Sequence, residues 1–192
     1  MMLILTVFLV LLLFLIPVIY LVMVYNGLVN VRQGVRKAWA NIEVVLKQRH
    51  DEIPKLVEVC KQYAQFEQST LEKVLLARNQ AVQARESKHV AELSGAEMRL
   101  QQGLGQIFAV AEAYPDLKSS HQFHALQTRI SSLENSIADR REFYNDSVWL
   151  LNVRIQEFPD LVLARVFSFQ EAEFLRYEAA ETADVNVKQL FV

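Results

Sequence analysis

The chain has 192 residues, with 20 basic and 22 acidic side chains and a net charge near −2. This balance excludes a general electrostatic affinity for nucleic acid. The single cysteine, Cys60, excludes an intrachain disulfide, and five glycines with four prolines leave little material for a turn-rich β protein. Every charged side chain lies after residue 31, so the sequence consists of an uncharged apolar end and a charged body.

The apolar end contains a run from Leu3 to Val24 that is long enough to cross a bilayer as a helix. Pro17 predicts a bend in this helix, and Tyr20 and Tyr25 stand where aromatic rings suit the membrane interface. A cleaved secretory signal would need a basic start, a shorter apolar core and a small-residue cleavage site, and the sequence has none of these. We therefore expect an uncleaved transmembrane anchor.

Basic side chains follow the apolar run, whereas only the α-amino group precedes it. Because basic flanks stay on the cytoplasmic side, the N-terminus is expected outside and the body in the cytoplasm. The basic residues are Arg32, Arg36, Lys37, Lys47 and Arg49.

Apolar residues at steps of three and four from Val35 to Tyr63 predict a long amphipathic helix. Pro54 removes an N–H and crowds the carbonyl of His50, so we expect a kink there rather than a break. The capping-box spacing of residues 69–72 leaves two alternatives, a new helix or a continuation to about residue 85.

The polar segment 85–95 predicts the first reversal of the chain. A second apolar stripe then runs from Leu93 to Ala111 and is ended by Pro115. The most regular stripe follows, with steps of three and four from residue 123 to 158, which is typical of a coiled coil or helical bundle. A second capping box at Ser168 to Glu171 predicts a short helix over about 171–182, before an apolar tail at 187–192. No useful strand pattern occurs, so the predicted fold is all-α.

No sequence motif indicates a catalytic site, a phosphate loop or a zinc site. His121 and His124 are interpreted as solvated residues in the first turn of a helix, because a metal site needs three or four placed donors. Cys60 lies on the apolar stripe and is interpreted as a small buried hydrophobe. We therefore expect a protein that is not an enzyme and needs no cofactor.

Two arginines, Arg49 and Arg140, occupy positions on the apolar stripes and are predicted to face the core. A buried guanidinium must be paired and hydrogen-bonded. Such a network either fixes the register of the helices or forms a polar site inside the bundle. The candidate partners are Glu67, Glu112, Glu134, Tyr144 and Asn145.

Taken in order, landmarks over nearly the whole chain resemble the LemA family of bacterial membrane proteins. The matching segments include Tyr25-Asn26, Ala38-Trp39, Ile53-Pro54, Glu112-Ala113-Tyr114-Pro115-Asp116-Leu117-Lys118, Tyr144-Asn145, Asn152 and Phe158-Pro159. The resemblance implies a single-pass anchor, here residues 1–25, in the bacterial inner membrane. It further implies an antiparallel bundle of long helices over 26–192, with a short C-terminal helix and tail, and no established enzymatic activity.

Two functions are compatible with the anchor and helical bundle that the sequence predicts. In the first, the protein is a membrane-anchored scaffold or adaptor that associates with itself and with other membrane proteins. The candidate self-association residues beside the anchor are Tyr25, Gly27, Gly34 and Trp39, because small and aromatic residues suit helix contacts. In the second, the bundle holds a ligand or metal in a polar interior site and acts as a sensor.

Overall fold

The computed structural model describes residues 1–62, 67–87 and 89–176, and within these ranges the protein is all-α. The helices are α1 (Met2–Lys61), α2 (Gln68–Ser87), α3 (Val90–Ala111), α4 (Pro115–Lys118), α5 (His121–Arg154) and α6 (Asp160–Val166). The predicted fold class is therefore confirmed. Tyr63 and the tail at 187–192 lie outside the described residues.

Contacts divide the chain into two units, which we describe separately. The first unit comprises Met1–Asn41 and Arg140–Phe174, and the second comprises Ile42–Asp139 and Leu175–Val192, as far as these residues are described. Helices α1 and α5 contribute residues to both units.

In the first unit, α5 packs antiparallel to α1. The ring of Tyr144 lies 5.4 Å from that of Trp39, and a Cβ at Gly27 would lie 3.1 Å from Nη2 of Arg154. The described side chains of α1 are uncovered from Leu3 to Met23, whereas Val24 and Leu28 are buried. The covered part of α1 therefore begins one residue before the predicted domain boundary at residue 25.

In the second unit, successive helices reverse direction. Nε of Arg78 on α2 donates to the carbonyl of His50 on α1, 28 residues earlier in the chain, so α2 folds back along α1. The prediction that the first reversal occurs at 85–95 is therefore wrong, because α2 begins at Gln68 as a separate helix. The segment 85–95 contains the second reversal, between α2 and α3.

Helices α2 and α3 lie in close contact at Gly103. A Cβ built at this glycine would lie 2.9 Å from Cγ2 of Val74, a β-branched side chain that moves little. Gly105, two residues later, has no neighbouring atom within 4 Å of a built Cβ. Gly103 is therefore a packing requirement of this hairpin, whereas Gly105 is not.

The C-terminal part of the first unit differs from the prediction of a helix at about 171–182. Residues 169–176 are not helical, and residues 177–182 lie outside the described chain. Side chains of α5 bind the backbone of this segment: the Asn152 amide donates to the Ala172 carbonyl (3.0 Å) and accepts from its N–H (2.9 Å), while the Tyr144 hydroxyl donates to the Glu173 carbonyl (2.9 Å). These contacts occupy the N–H of Ala172 and the carbonyls of Ala172 and Glu173, which would otherwise form the hydrogen bonds of a helix.

The predicted third stripe ends earlier than expected. Helix α5 stops at Arg154 rather than at Phe158, and Phe158 is exposed. A further helix, α6, which the sequence analysis did not predict, begins at Asp160 and packs Ala164 inward.

Candidate functional site

A buried charge cluster lies in the second unit and is formed by Arg49, His50, Glu97 and Glu134. Arg49 and His50 come from α1, Glu97 from α3 and Glu134 from α5. Arg49 and His50 are each 1% exposed, the Glu97 side chain is fully buried, and the Glu134 side chain is 25% exposed. Three helices thus meet around charges that water barely reaches.

The guanidinium of Arg49 bridges two carboxylates. Its Nη2 pairs with Oε2 of Glu97, and its Nη1 donates to Oε1 of Glu134 over 2.5 Å. Oε1 of Glu97 lies 2.9 Å from Nε2 of His50. Both Glu97 oxygens are therefore occupied by donors from adjacent residues of α1.

Pro54 explains how the backbone beside this cluster is satisfied. The carbonyl of His50 would normally accept a hydrogen bond from the N–H of residue 54, which proline lacks. Nε of Arg78 donates to this carbonyl at 3.1 Å instead. Helix α1 continues through Pro54 without a break, as predicted, and α2 is bound to α1 at the position that the proline leaves open.

Burial lowers the pKa of His50 to about 3, and the positive charges of Arg49, Arg85 and Arg78 lower it in the same direction. The imidazole is therefore neutral at physiological pH and donates from Nε2 to Glu97. Its Nδ1 is buried without a hydrogen-bond partner, as are Nε of Arg49 and Nη1 of Arg85. Arg85 is half-buried.

The chemistry available to the cluster is electrostatic. Arg49 stabilises two carboxylates, and the neutral His50 fixes the orientation of one of them. Burial raises the pKa of the Cys60 thiol to about 11, so this buried cysteine is not a thiolate nucleophile. Within the described ranges, no group of three or more His, Cys, Asp or Glu residues could hold a metal ion.

The structure separates the other predicted network residues from Arg49. Glu67 is exposed and accepts from the Thr70 hydroxyl at 3.0 Å, at the start of α2. Glu112 is exposed and pairs with Lys118. Of the predicted carboxylate partners, only Glu134 contacts Arg49.

Arg140, which we expected to face the core, is exposed. The buried stripe of α5 passes from Ile137 to Tyr144, and the intervening step reaches the half-buried Arg141 instead of Arg140. The prediction took the stripe from Ile137 by three residues to Arg140, whereas the observed stripe takes four residues to Arg141. Arg140 therefore points away from the core.

Tyr144 is buried, and burial raises the pKa of its hydroxyl, with Glu173 adding to the shift. Asn145, the next residue, is half-buried.

Three of the four self-association candidates contact other residues of their own chain. The Tyr25 ring lies 4.7 Å from that of Phe167, Trp39 packs on Tyr144, and Gly27 lies against Arg154. Gly34 has no atom within 4 Å of a built Cβ. Gly34 is therefore the candidate that leaves room for a second molecule.

Glu97 and His50 were not predicted as members of a buried polar network, although the sequence carries a signal for both. Glu97 lies four residues after Leu93 and three before Leu100, on the buried stripe of α3. His50 similarly lies between the buried Leu46 and Ile53 of α1. A polar residue that fills a gap in an apolar stripe identifies a buried polar group in both helices.

Comparison with known proteins places the cluster within a matched region. The model of the LemA family matches residues 38–189, which include all four cluster residues. Magnetosome proteins MamQ 2 and MamQ 1 of Paramagnetospirillum magneticum are 25% identical to this chain over 194 residues. Magnetosome protein MamQ of Magnetospirillum gryphiswaldense is 24% identical over 194 residues. Each alignment covers 89% of this chain and 71% of the relative.

Proposed function

This chain belongs to the LemA family, and on that premise we propose that it is a membrane-anchored scaffold or adaptor without catalytic activity, whose copies associate in the bacterial inner membrane. The observation that carries the proposal is the uncovered apolar helix, Leu3 to Met23, continuous with a helical unit that keeps apolar side chains exposed. The curated relatives are named magnetosome proteins. The place of this chain at a membrane is proposed from its own N-terminal helix, which is long and apolar enough to cross a bilayer.

The first unit offers a surface for self-association. Phe143 and Leu150 are exposed and lie seven residues apart, hence on one face of α5, and Gly34 leaves open space on α1. Tethering raises the local concentration of like chains, so a weak apolar contact suffices for association. The bilayer is the first partner of the protein, and other membrane proteins are proposed as further partners.

Gly34→Leu tests the self-association. The Cβ position of Gly34 faces open space, so we expect the variant to fold and to hinder a second molecule that approaches there. We expect crosslinking in native membranes to capture an oligomer of the wild type and less of it for Gly34→Leu. Gly105→Leu, an equally open glycine on α3, is the matched control and should crosslink like the wild type.

A wild-type chain that yields only monomer, in membranes where a known oligomer is captured, would remove the scaffold proposal. Equal crosslinking of the wild type and Gly34→Leu would show that Gly34 of α1 does not lie in the interface.

The proposed topology has an anchor at residues 1–25 and the body, 26–192, in the cytoplasm. The support is the basic residues after the span, of which Arg36 and Lys37 are exposed. A topology reporter fused after Val192 should be active only in its cytoplasmic form. Activity of the periplasmic form alone would reverse the orientation.

The second candidate function is a sensor with a ligand or metal inside the bundle. It is favoured by the buried nitrogens of Arg49, His50 and Arg85 that lack hydrogen-bond partners. Zinc bound to the unprotonated Nδ1 of His50 would shift the resonance of this nitrogen in nitrogen-15 NMR during a zinc titration. An unchanged Nδ1 resonance together with a metal-free purified protein would exclude this function.

A further inference from the structure

We propose that α6 and its flanking residues form a second membrane contact, in which Phe158, Val162, Val166 and Phe167 lie in the interfacial layer of the bilayer beside the anchor. The proposal requires that α1 anchors the chain in a membrane, but it does not require self-association. Its failure would therefore leave the scaffold function open.

The position of α6 within the first unit places it at the end of the span. Helix α1 is uncovered up to Met23, and the Tyr25 ring lies 4.7 Å from that of Phe167 and 6.3 Å from that of Phe169. Tyr25 is only about 3 Å further along the helix axis than Met23. The segment that follows α6 thus contacts α1 where the lipid-exposed part of the helix ends.

The end of α5 confirms this position independently. A Cβ at Gly27 would lie 3.1 Å from Arg154, the last residue of α5. Arg154 in turn binds the carboxylate of Asp160 at the start of α6, over 2.6 Å from its Nε. Both ends of α6 are therefore connected to the first turns of α1 beyond the uncovered run.

The exposed residues of α6 are Val162, Arg165 and Val166, so its outward face is apolar except for one arginine. Val162 and Val166 are exposed, whereas Asp160 and Ala164, on the opposite face of the helix, are buried. Phe158, 82% exposed, and Phe167, 52% exposed, extend this apolar surface on either side of the helix. A helix that faces water normally has polar residues on its outer face. The reversed pattern is expected where lipid, rather than water, covers that face.

The charges of the segment indicate that apolar contact rather than charge drives the association. Asp160 is buried and neutralised by Arg154, while Arg165 and Glu157 are exposed and balance one another. The rings of Phe158 and Phe167 suit the layer between headgroups and acyl chains, where amphipathic segments insert by about 5–10 Å. We therefore expect the contact to form on a neutral phosphatidylcholine bilayer.

Depth-dependent fluorescence quenching of the full-length protein tests the proposal. In a Cys60→Ser background, Val162→Cys and Val166→Cys each carry an environment-sensitive fluorophore, and the protein is reconstituted in phosphatidylcholine nanodiscs. Both positions are exposed, so the label does not disturb the core. Nitroxides on the headgroup or on the upper acyl chain should quench both labels. The emission of both labels should also shift to the blue relative to the same labelled protein unfolded in aqueous denaturant.

Glu142→Cys is the matched control. It is exposed in the same unit, on α5, about 18 Å along the helix from Arg154. Because α5 runs antiparallel to α1, this position lies away from the span, and its label should not be quenched. Equal quenching at positions 142, 162 and 166 would overturn the proposal. A blue shift at 162 and 166 without quenching by lipid nitroxides would also overturn it, since a second protein surface would then cover α6.

Discussion

Replacement of Glu97 by glutamine should destabilise the second unit substantially. The variant keeps the shape of the side chain but removes the charge between Arg49 and His50. Both groups donate to the carboxylate, whereas a glutamine amide has only one acceptor oxygen. One buried donor of α1 therefore loses its acceptor.

The magnitude follows from the burial of the pair. Removing one partner of a buried ion pair costs about 3–5 kcal/mol. The partly exposed Glu134 still binds Arg49 in the variant, over 2.5 Å, so we expect the lower end of this range, about 3 kcal/mol. For a chain of this size, such a loss lowers the melting temperature by about 6–12 °C.

Urea unfolding of the detergent-solubilised chain, followed by far-UV circular dichroism, measures this loss. Glu92→Gln is the matched control, because Glu92 is exposed on the same helix. Its free energy of unfolding should stay within about 0.5 kcal/mol of the wild-type value. Equal losses for Glu97→Gln and Glu92→Gln would refute the buried ion pair.

A double-mutant cycle with Arg49→Met separates the pair from general damage to the core. With both charges removed, neither is left buried and unpaired, so the double variant should be more stable than the sum of the single losses predicts. Strictly additive losses would mean that the two side chains do not interact.

Three further predictions concern pH, packing and the covered part of the anchor helix. The folded-state pKa of His50, about 3, lies below its unfolded value of 6.5. The stabilising contribution of the neutral imidazole is therefore present above pH 6.5 and is lost as the pH falls towards 3, by about 2 kcal/mol at pH 5. His50→Gln should flatten this part of the plot of unfolding free energy against pH, and an unchanged slope would refute a buried neutral histidine. Gly105→Ala should raise the free energy of unfolding by about 0.5–1 kcal/mol through helix propensity. Gly103→Ala should lower this free energy, because the added methyl group would meet Val74 of α2. Equal shifts in melting temperature for the two variants would contradict this close contact. A soluble fragment that lacks residues 1–22 should melt at a higher temperature than one that lacks residues 1–30, because the longer deletion removes buried turns of α1; identical melting curves would show that those turns add no stability.

The sequence by itself determined the features that depend on local periodicity and composition. The apolar run from Leu3 needs no partner to be recognised, since its length and lack of charge already suit a bilayer. The stripes of α1, α3 and α5 follow from the helical repeat alone, which also placed Arg49 on a buried stripe. Pro54 identified the carbonyl that would lose its helical donor.

The tertiary structure decided which distant residues meet. In the folded chain Glu97 is the partner of Arg49, and Arg78 is the donor to the His50 carbonyl, because α2 and α3 pack beside α1. Nothing in the spacing of residues within one helix specifies the offset between two helices.

The same distinction explains Arg140 and the C-terminal segment. A stripe with alternating steps of three and four leaves a one-residue ambiguity, and only packing placed Arg140 outward on α5. The capping box at Ser168 was a valid local signal for a helix. It lost to Asn152 and Tyr144, whose side chains bind the backbone of Ala172 and Glu173 from a distant part of the sequence. Local preference fixes what a segment can form, whereas contacts across the fold select among those forms, because they satisfy the same backbone groups from outside the segment.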